Sequence, residues 1–169
     1  MGKEPGESGH IAALFKYWQS LNGGEAPARA QIDPAAIKPL LPHIYLVEFK
    51  TDPFRVYYRL SGTATDQWNG IPLSGHYLDE FLVGDKYGAN RHVIDSYEQA
   101  WRSGRPVIGH YLWPTRGGYK ADVHFGLFPL TVDGIVAQAI STEDYEPAPV
   151  SDEWISMRAA AERRDQALK

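Results

Sequence analysis

Apolar positions along the chain change their spacing several times, and each change marks an element. Between His10 and Leu21, the residues Leu14, Trp18 and Leu21 recur at helical spacing with Phe15 beside them. This predicts an amphipathic helix, stopped by Gly23-Gly24. Asp33-Pro34 sets a capping carboxylate before a proline and predicts a second, short helix that Pro42 ends. The period then drops to two. Ile44–Phe49 is rich in β-formers, and Thr51-Asp52-Pro53 turns the chain into Phe54–Ser61, a link short enough for an antiparallel hairpin. Alternation in this second strand puts Phe54, Val56, Tyr58 and Leu60 on one face, and Arg55, Tyr57, Arg59 and Ser61 on the other.

Gly62 breaks the strand pattern. Thr63–Trp68 reads as a short helix closed by Asn69-Gly70, and Leu78–Leu82 as a turn. The longest helical pattern runs from Lys86 to Ser103, with Val93, Tyr97, Ala100 and Trp101 on one side and Gly104 as its stop. Three strand-like runs follow: Pro106–Trp113, Tyr119–Leu130 after a Gly117-Gly118 turn, and Ile135–Thr142 after Asp133-Gly134. Beyond the Pro147–Pro149 linker, Asp152 caps a final predicted helix, Glu153–Leu168. Hairpin-length links imply antiparallel pairing with helices gathered on one face, an α+β domain. Residues 1–9 are expected to form a disordered lead-in, 10–146 the domain with its N-terminal helix, and 147–169 a linker and C-terminal helix.

Composition narrows the function classes. The 169 residues suit one domain, and the net charge of −4 comes without a basic stripe, which argues against a nucleic-acid partner. No apolar run is long enough to span a bilayer and no signal-peptide core is present, so the expected setting is cytoplasmic, without membrane. There are no cysteines. A disulfide framework, a thiolate nucleophile, a cysteine-bound metal, a cysteinyl-flavin adduct and a thioester-linked chromophore are therefore all excluded.

The element order resembles the PAS fold: two strands, a helical flap, a longer helix, then three further strands of a five-stranded antiparallel sheet. Ordered motifs sharpen the likeness: Phe15–Gly24 (FKYWQSLNGG), Pro27–Pro34 (PARAQIDP), Leu40–Pro42 (LLP), Tyr58–Ala64 (YRLSGTA), Leu73–Gly75 (LSG) and Leu127–Leu130 (LFPL). Together they look like the stand-alone PAS family of about this length found in alphaproteobacteria, over roughly residues 12 to 142. The resemblance implies a five-stranded sheet with helices packed on one face, plus flanking terminal helices. It also implies a non-enzymatic sensor or interaction module that binds a small molecule or a protein and relays it through dimer geometry. It carries no catalytic motif and names neither a cofactor nor an output partner.

Under the flap, Tyr58, Trp68, Tyr77, Trp101, Phe125 and Gln138 are the candidate pocket residues. Gln138 lies between Val136 and Ile140, and alternation puts the three on one face. It resembles the inward glutamine of flavin-type PAS domains, although the opposite face could equally be the core one. Aromatics including Tyr57, Tyr111 and Trp113 serve core packing more often than ligand stacking. The six histidines show no HxH or HxxxH spacing, which disfavours a metal site and leaves haem only a single-histidine route through His76, His92, His110 or His124. Asp122 and His124 share a strand face that alternation turns outward. They and His110 carry the alternative reading, a small isomerase- or dehydratase-like enzyme with a cone-shaped pocket. Arg55 and Arg59 could bind an anion but read more simply as a solvated face, and the double glycines read as turns rather than phosphate loops. Leu14, Phe15, Trp18 and Leu21 make a stripe too apolar to leave in water, with Tyr57 and Tyr111 as candidate strand residues for it to cover. That stripe is the candidate homodimer interface.

Overall fold

In the computed structural model, which describes residues 9–85, 87–114 and 120–145, five antiparallel strands form one sheet. The strands are β1 (Ile44–Lys50), β2 (Arg55–Ser61), β3 (Val107–Pro114), β4 (Lys120–Val132) and β5 (Ile135–Tyr145), in the spatial order β2-β1-β5-β4-β3. Helix α1 (His10–Leu21) precedes them, and α2 (Thr63–Asn69) and α3 (Ala89–Ser103) lie between β2 and β3. This is the α+β, five-stranded antiparallel architecture that the pattern predicts. The lead-in, the Gly117-Gly118 turn, the Pro147–Pro149 linker and the final helix fall outside the described residues, apart from Gly9.

Two apolar layers sandwich the sheet. On its inner face Tyr45, Val47, Phe49, Val56, Tyr58, Phe125, Leu127 and Ala139 pack against Val93, Ile94, Tyr97 and Ala100 of α3. The buried Tyr97 hydroxyl shares a hydrogen bond with Ser141 Oγ at 2.7 Å, tying α3 to β5. The outer face is covered by α1, whose Ile11, Leu14 and Trp18 join Ile44, Phe128, Leu130 and Ile140. The Trp18 Nε1–H donates to the Pro129 carbonyl at 2.8 Å. At the start of this helix the Asp144 carboxylate accepts from the His10 N–H (2.8 Å) and the Ile11 N–H (3.1 Å). A carboxylate there satisfies donors that the helix itself cannot.

The apolar stripe of α1 therefore finds its cover within its own chain. Leu14 is 0% and Trp18 1% exposed, so neither is a surface that a second copy could touch. Phe15 stacks on Phe128 with ring centroids 5.7 Å apart, and Leu21 is partly buried in the same layer. Nor does either of the two proposed strand partners join that layer. Tyr111 points into the inner core, while Tyr57 packs on Tyr77 at the sheet edge.

Two bulges reset the alternation that sequence periodicity assumes. Leu46 pairs with Leu60 but Val47 with Tyr58, so Arg59 is an extra residue, and Leu60 turns to the outer face while Tyr58 stays inside. Leu130 likewise pairs with Gln138 and Thr131 with Val136, leaving Ala137 as the extra residue; Val136 packs against the inner core. The Asp33-Pro34 start produces turns rather than an α-helix, with Asp33 Oδ1 accepting from the Ala35 N–H at 2.9 Å. A 3₁₀ segment, Lys38–His43, follows and contains Pro42 instead of ending before it.

Candidate ligand site

The flap between β2 and α3 is fastened at several points. The Gly75 N–H donates to the Tyr58 carbonyl (2.8 Å) and the Tyr58 N–H to the His76 carbonyl (2.9 Å), so the chain after α2 pairs with the free edge of β2. Arg55 grips Asp79 with two hydrogen bonds, at 2.7 and 2.9 Å, and its guanidinium lies 3.7 Å from the Tyr77 ring centre. That bidentate contact holds the Asp79 carboxyl below its usual range. Gly62, where the chain leaves the sheet, has an ordinary negative φ. A Cβ there would sit 2.3 Å from the Pro42 carbonyl oxygen, so glycine is required by close approach.

Beneath the flap lies a cavity of about 100 Å³ whose wall includes Tyr45, Tyr58, Asn69, Leu73, Tyr111 and Glu143. Its polar centre is Glu143 on β5. The Tyr111 hydroxyl donates to one carboxylate oxygen at 2.6 Å; those of Tyr45 and Tyr145 donate to the other, each at 3.0 Å. From the flap, Asn69 Nδ2 donates to the Tyr45 hydroxyl at 3.1 Å. Burial pushes the Glu143 carboxyl above its usual range, and the three phenol donors partly oppose that shift. Tyr45 and Tyr111 are pushed well above theirs, first by burial and next by the neighbouring carboxylate. Where β5 ends, Trp68 of α2 stacks on Tyr145 with centroids 4.0 Å apart.

Of the six pocket candidates from sequence, Tyr58 lines this cavity and the others lie elsewhere. Trp68 reaches the site only through its stack on Tyr145. Tyr77 sits at the sheet edge, Trp101 stacks on Phe54 (5.2 Å), and Phe125 is inner core, 6.1 Å from the Tyr111 ring. Gln138 is a correction: it pairs with Glu48 and Leu130, on the outer face with Leu130 and Ile140, and cannot reach the inner cavity. Its Oε1 is buried without a hydrogen-bond partner among the described residues. Sequence reading missed Tyr45 and Glu143. Glu143 is in phase with the inward Ala139 and Ser141, but lies one position beyond the predicted strand Ile135–Thr142.

The proposed enzyme residues gather on the other side of the sheet. His110 Nδ1 lies 3.0 Å from one Asp122 oxygen and His124 Nε2 3.6 Å from the other, and the His110 side chain is 63% exposed. None of the three lines the inner cavity. His76 pairs with Glu80 (3.3 Å), and His92 meets Phe125 edge-on (5.7 Å). Among the described residues no group of three His, Cys, Asp or Glu could hold a metal ion. Neither arginine offers a free charge: Arg55 is held by Asp79, and Arg59 by Glu48 at 2.5 Å.

A five-stranded antiparallel sheet with a helical flap and a connecting helix closing a cavity on one face defines the class of this α+β domain. The chain matches the PAS domain family over residues 7–137, and it belongs to that family. No curated protein matches it. Among solved structures it is similar to an RNA-binding light-oxygen-voltage receptor, with 16% identity and a TM-score of 0.50, covering 85% of this chain and 42% of that one. It is also similar to a LOV protein of Rhodobacter sphaeroides (12% identity, TM-score 0.48, 70% of each chain covered). A third similar structure, a light-oxygen-voltage domain studied with a flavin analogue, has 12% identity and a TM-score of 0.49, with 79% of this chain and 97% of that one covered. At such identities the likeness is one of fold. Among the described residues no helix is long and apolar enough to cross a membrane.

A flavin does not fit the residues present here. Sites for molecules of that size run to roughly 300–1,000 Å³, against the cavity's 100 Å³. The charged group at its wall is a carboxylate, which would repel a flavin's phosphate.

Proposed function

We propose that the chain is a non-enzymatic PAS-type sensor whose inner cavity takes a small polar ligand of a few heavy atoms, carrying a hydrogen-bond donor or a positive charge. The observation that carries this reading is Glu143, a partly buried carboxylate with a raised pKa at the wall of a small cavity, held by three phenols from β1, β3 and β5. A ligand donor that takes one carboxylate oxygen displaces a tyrosine. Displacing Tyr45 releases the tie from Asn69 on the flap to the sheet, leaving Asn69 bonded only to Thr65 in its own helix, and displacing Tyr145 disturbs its stack with Trp68. Either event moves α2 and the end of β5 together, which is how occupancy becomes a change of surface.

Catalysis is disfavoured because His110, Asp122 and His124 stand on the opposite face, outside the cavity. Relay through a homodimer remains part of the reading, but the contact surface must be one that α1 leaves bare. The outer side of β3 is such a surface, with Ile108 56% and Leu112 43% exposed. The ligand reading is tested by titrating the protein with methylammonium and guanidinium and following backbone amide shifts. Saturable shifts at Asn69, Glu143 and Tyr145 that disappear in Glu143→Gln are expected. Shifts confined to surface carboxylates, or unchanged in that variant, refute it.

A further inference from the structure

The outer face holds a second, larger hollow. It measures about 460 Å³ and is bounded by Ile32, Ile37, Leu41, Ile44, Leu46 and Leu60. That volume lies within the range of small-molecule sites, roughly 300–1,000 Å³, whereas the inner cavity falls below it. Among the described residues no aromatic lines it. The bulge at Arg59 aims Leu60 into this hollow and leaves it 45% exposed. Bulges re-aim side chains at a cost to the ladder, and here an aliphatic side chain is turned away from the inner core toward open space. Arg29 is the single charged residue of the wall and has no ion-pair partner among the described residues. Thr63, at the start of α2, stands at the rim, whereas the Ser61 hydroxyl is already taken by Asp66 and by the Leu73 and Ser74 N–H groups.

We infer that this groove binds an aliphatic carboxylate, its chain along the branched aliphatic wall and its head group on Arg29. The chemistry follows from the lining. A branched aliphatic wall without aromatics suits a flexible hydrocarbon chain better than a planar ring, and one guanidinium with no ion-pair partner among the described residues selects a single anionic group. The chain's net charge of −4 gives no general attraction for anions, so recognition must come from Arg29 itself. Gly62 and Thr63 belong to both the groove and the entry to α2, and Asn69 at the other end of α2 reaches the Glu143 cluster. The groove is thus placed to bias the flap from the face opposite the inner cavity, and its occupancy does not depend on a ligand in that cavity.

The test uses the full chain and three probes below their aggregation concentrations: sodium decanoate, decanol and sodium butyrate. Decanoate should give saturable amide shifts at Ile32, Leu60 and Thr63 and bind more tightly than either decanol or butyrate. Arg29→Gln should weaken decanoate about tenfold, the scale of losing a charged hydrogen-bonding partner, and leave decanol within about twofold. Leu60→Glu, at a partly exposed position, should abolish binding of both ten-carbon probes. The inference is overturned by an absence of saturable shifts or by shifts centred on Tyr111 and Glu143. It is equally overturned if Arg29→Gln affects decanoate and decanol alike, or if Leu60→Glu binds as the wild type does.

Discussion

Leu14→Ala separates two accounts of the N-terminal helix. If α1 covers its own sheet, the substitution opens a hole between the helix and Phe128, Leu130 and Ile140, because Leu14 is 0% exposed in that layer. Removing a fully buried leucine costs about 2–5 kcal/mol, and the upper half of that range applies where the surroundings are held on both sides. Here the helix start is fixed by Asp144 and its middle by the Trp18 bond to Pro129, so collapse into the hole is resisted. Against a total stability of about 5–15 kcal/mol this is a large fraction, and it should lower Tm by about 2–4 °C for each kcal/mol in a chain of this size. Trp18→Phe adds an independent check. It keeps an aromatic ring but strands the Pro129 carbonyl, at a cost of about 1–3 kcal/mol from the unmet acceptor alone. Urea unfolding followed by far-ultraviolet circular dichroism reads both effects. Any dependence of the wild-type midpoint on protein concentration should persist in Leu14→Ala, since the helix is satisfied within one chain. A Leu14→Ala variant within about 0.5 kcal/mol of the wild type at low concentration, whose midpoint has lost a concentration dependence that the wild type shows, would place the stripe between chains and refute the packing described here.

Three further outcomes are expected. Because the folded Glu143 pKa is raised, the wild type carries the stabilising proton below the unfolded value and loses that advantage as pH climbs through the folded one. The stability of wild type minus Glu143→Gln should therefore fall from acidic to mildly alkaline pH, and a flat difference in urea titrations would contradict the buried-carboxylate account. Gly62→Ala forces a methyl against the backbone of Pro42 and should cost about 1–3 kcal/mol, with amide shifts spreading from Lys38–His43 into α2; a neutral effect on Tm would show that the approach is looser than described. If copies pair through the bare side of β3, Ile108→Glu with Leu112→Glu should convert dimer to monomer in light scattering without loss of fold, and a wild type that is monomeric at high concentration removes that contact.

How far the sequence reveals such a site depends on what its pattern can encode. Helical spacing at Leu14 and Trp18 says that a helix needs cover, but not which chain supplies it, so the stripe was legible and its partner was not. Alternation fails where a sheet is covered on both faces, because Ala139 and Ile140 are then both buried and the contrast that marks the core side vanishes. The bulges at Arg59 and Ala137 add a second loss. Neither position carries the glycine that can announce a bulge, yet each reverses the face of every residue beyond it, which is why Leu60 was misplaced and why Val136 parts from Gln138 and Ile140. Glu143 was hidden for a different reason. A strand ending in Ser-Thr-Glu-Asp-Tyr looks like a departure into solvent unless donors are known to wait for the carboxylate. Those donors are Tyr145, two positions on, and Tyr45 and Tyr111, which stand 98 and 32 positions earlier. Most of the partnership exists only after β1 and β3 are brought alongside β5 and β4. A ligand that competes for Glu143 must therefore act on contacts from several strands at once, which makes this cluster a better place for a sensor's input than any motif readable along the chain.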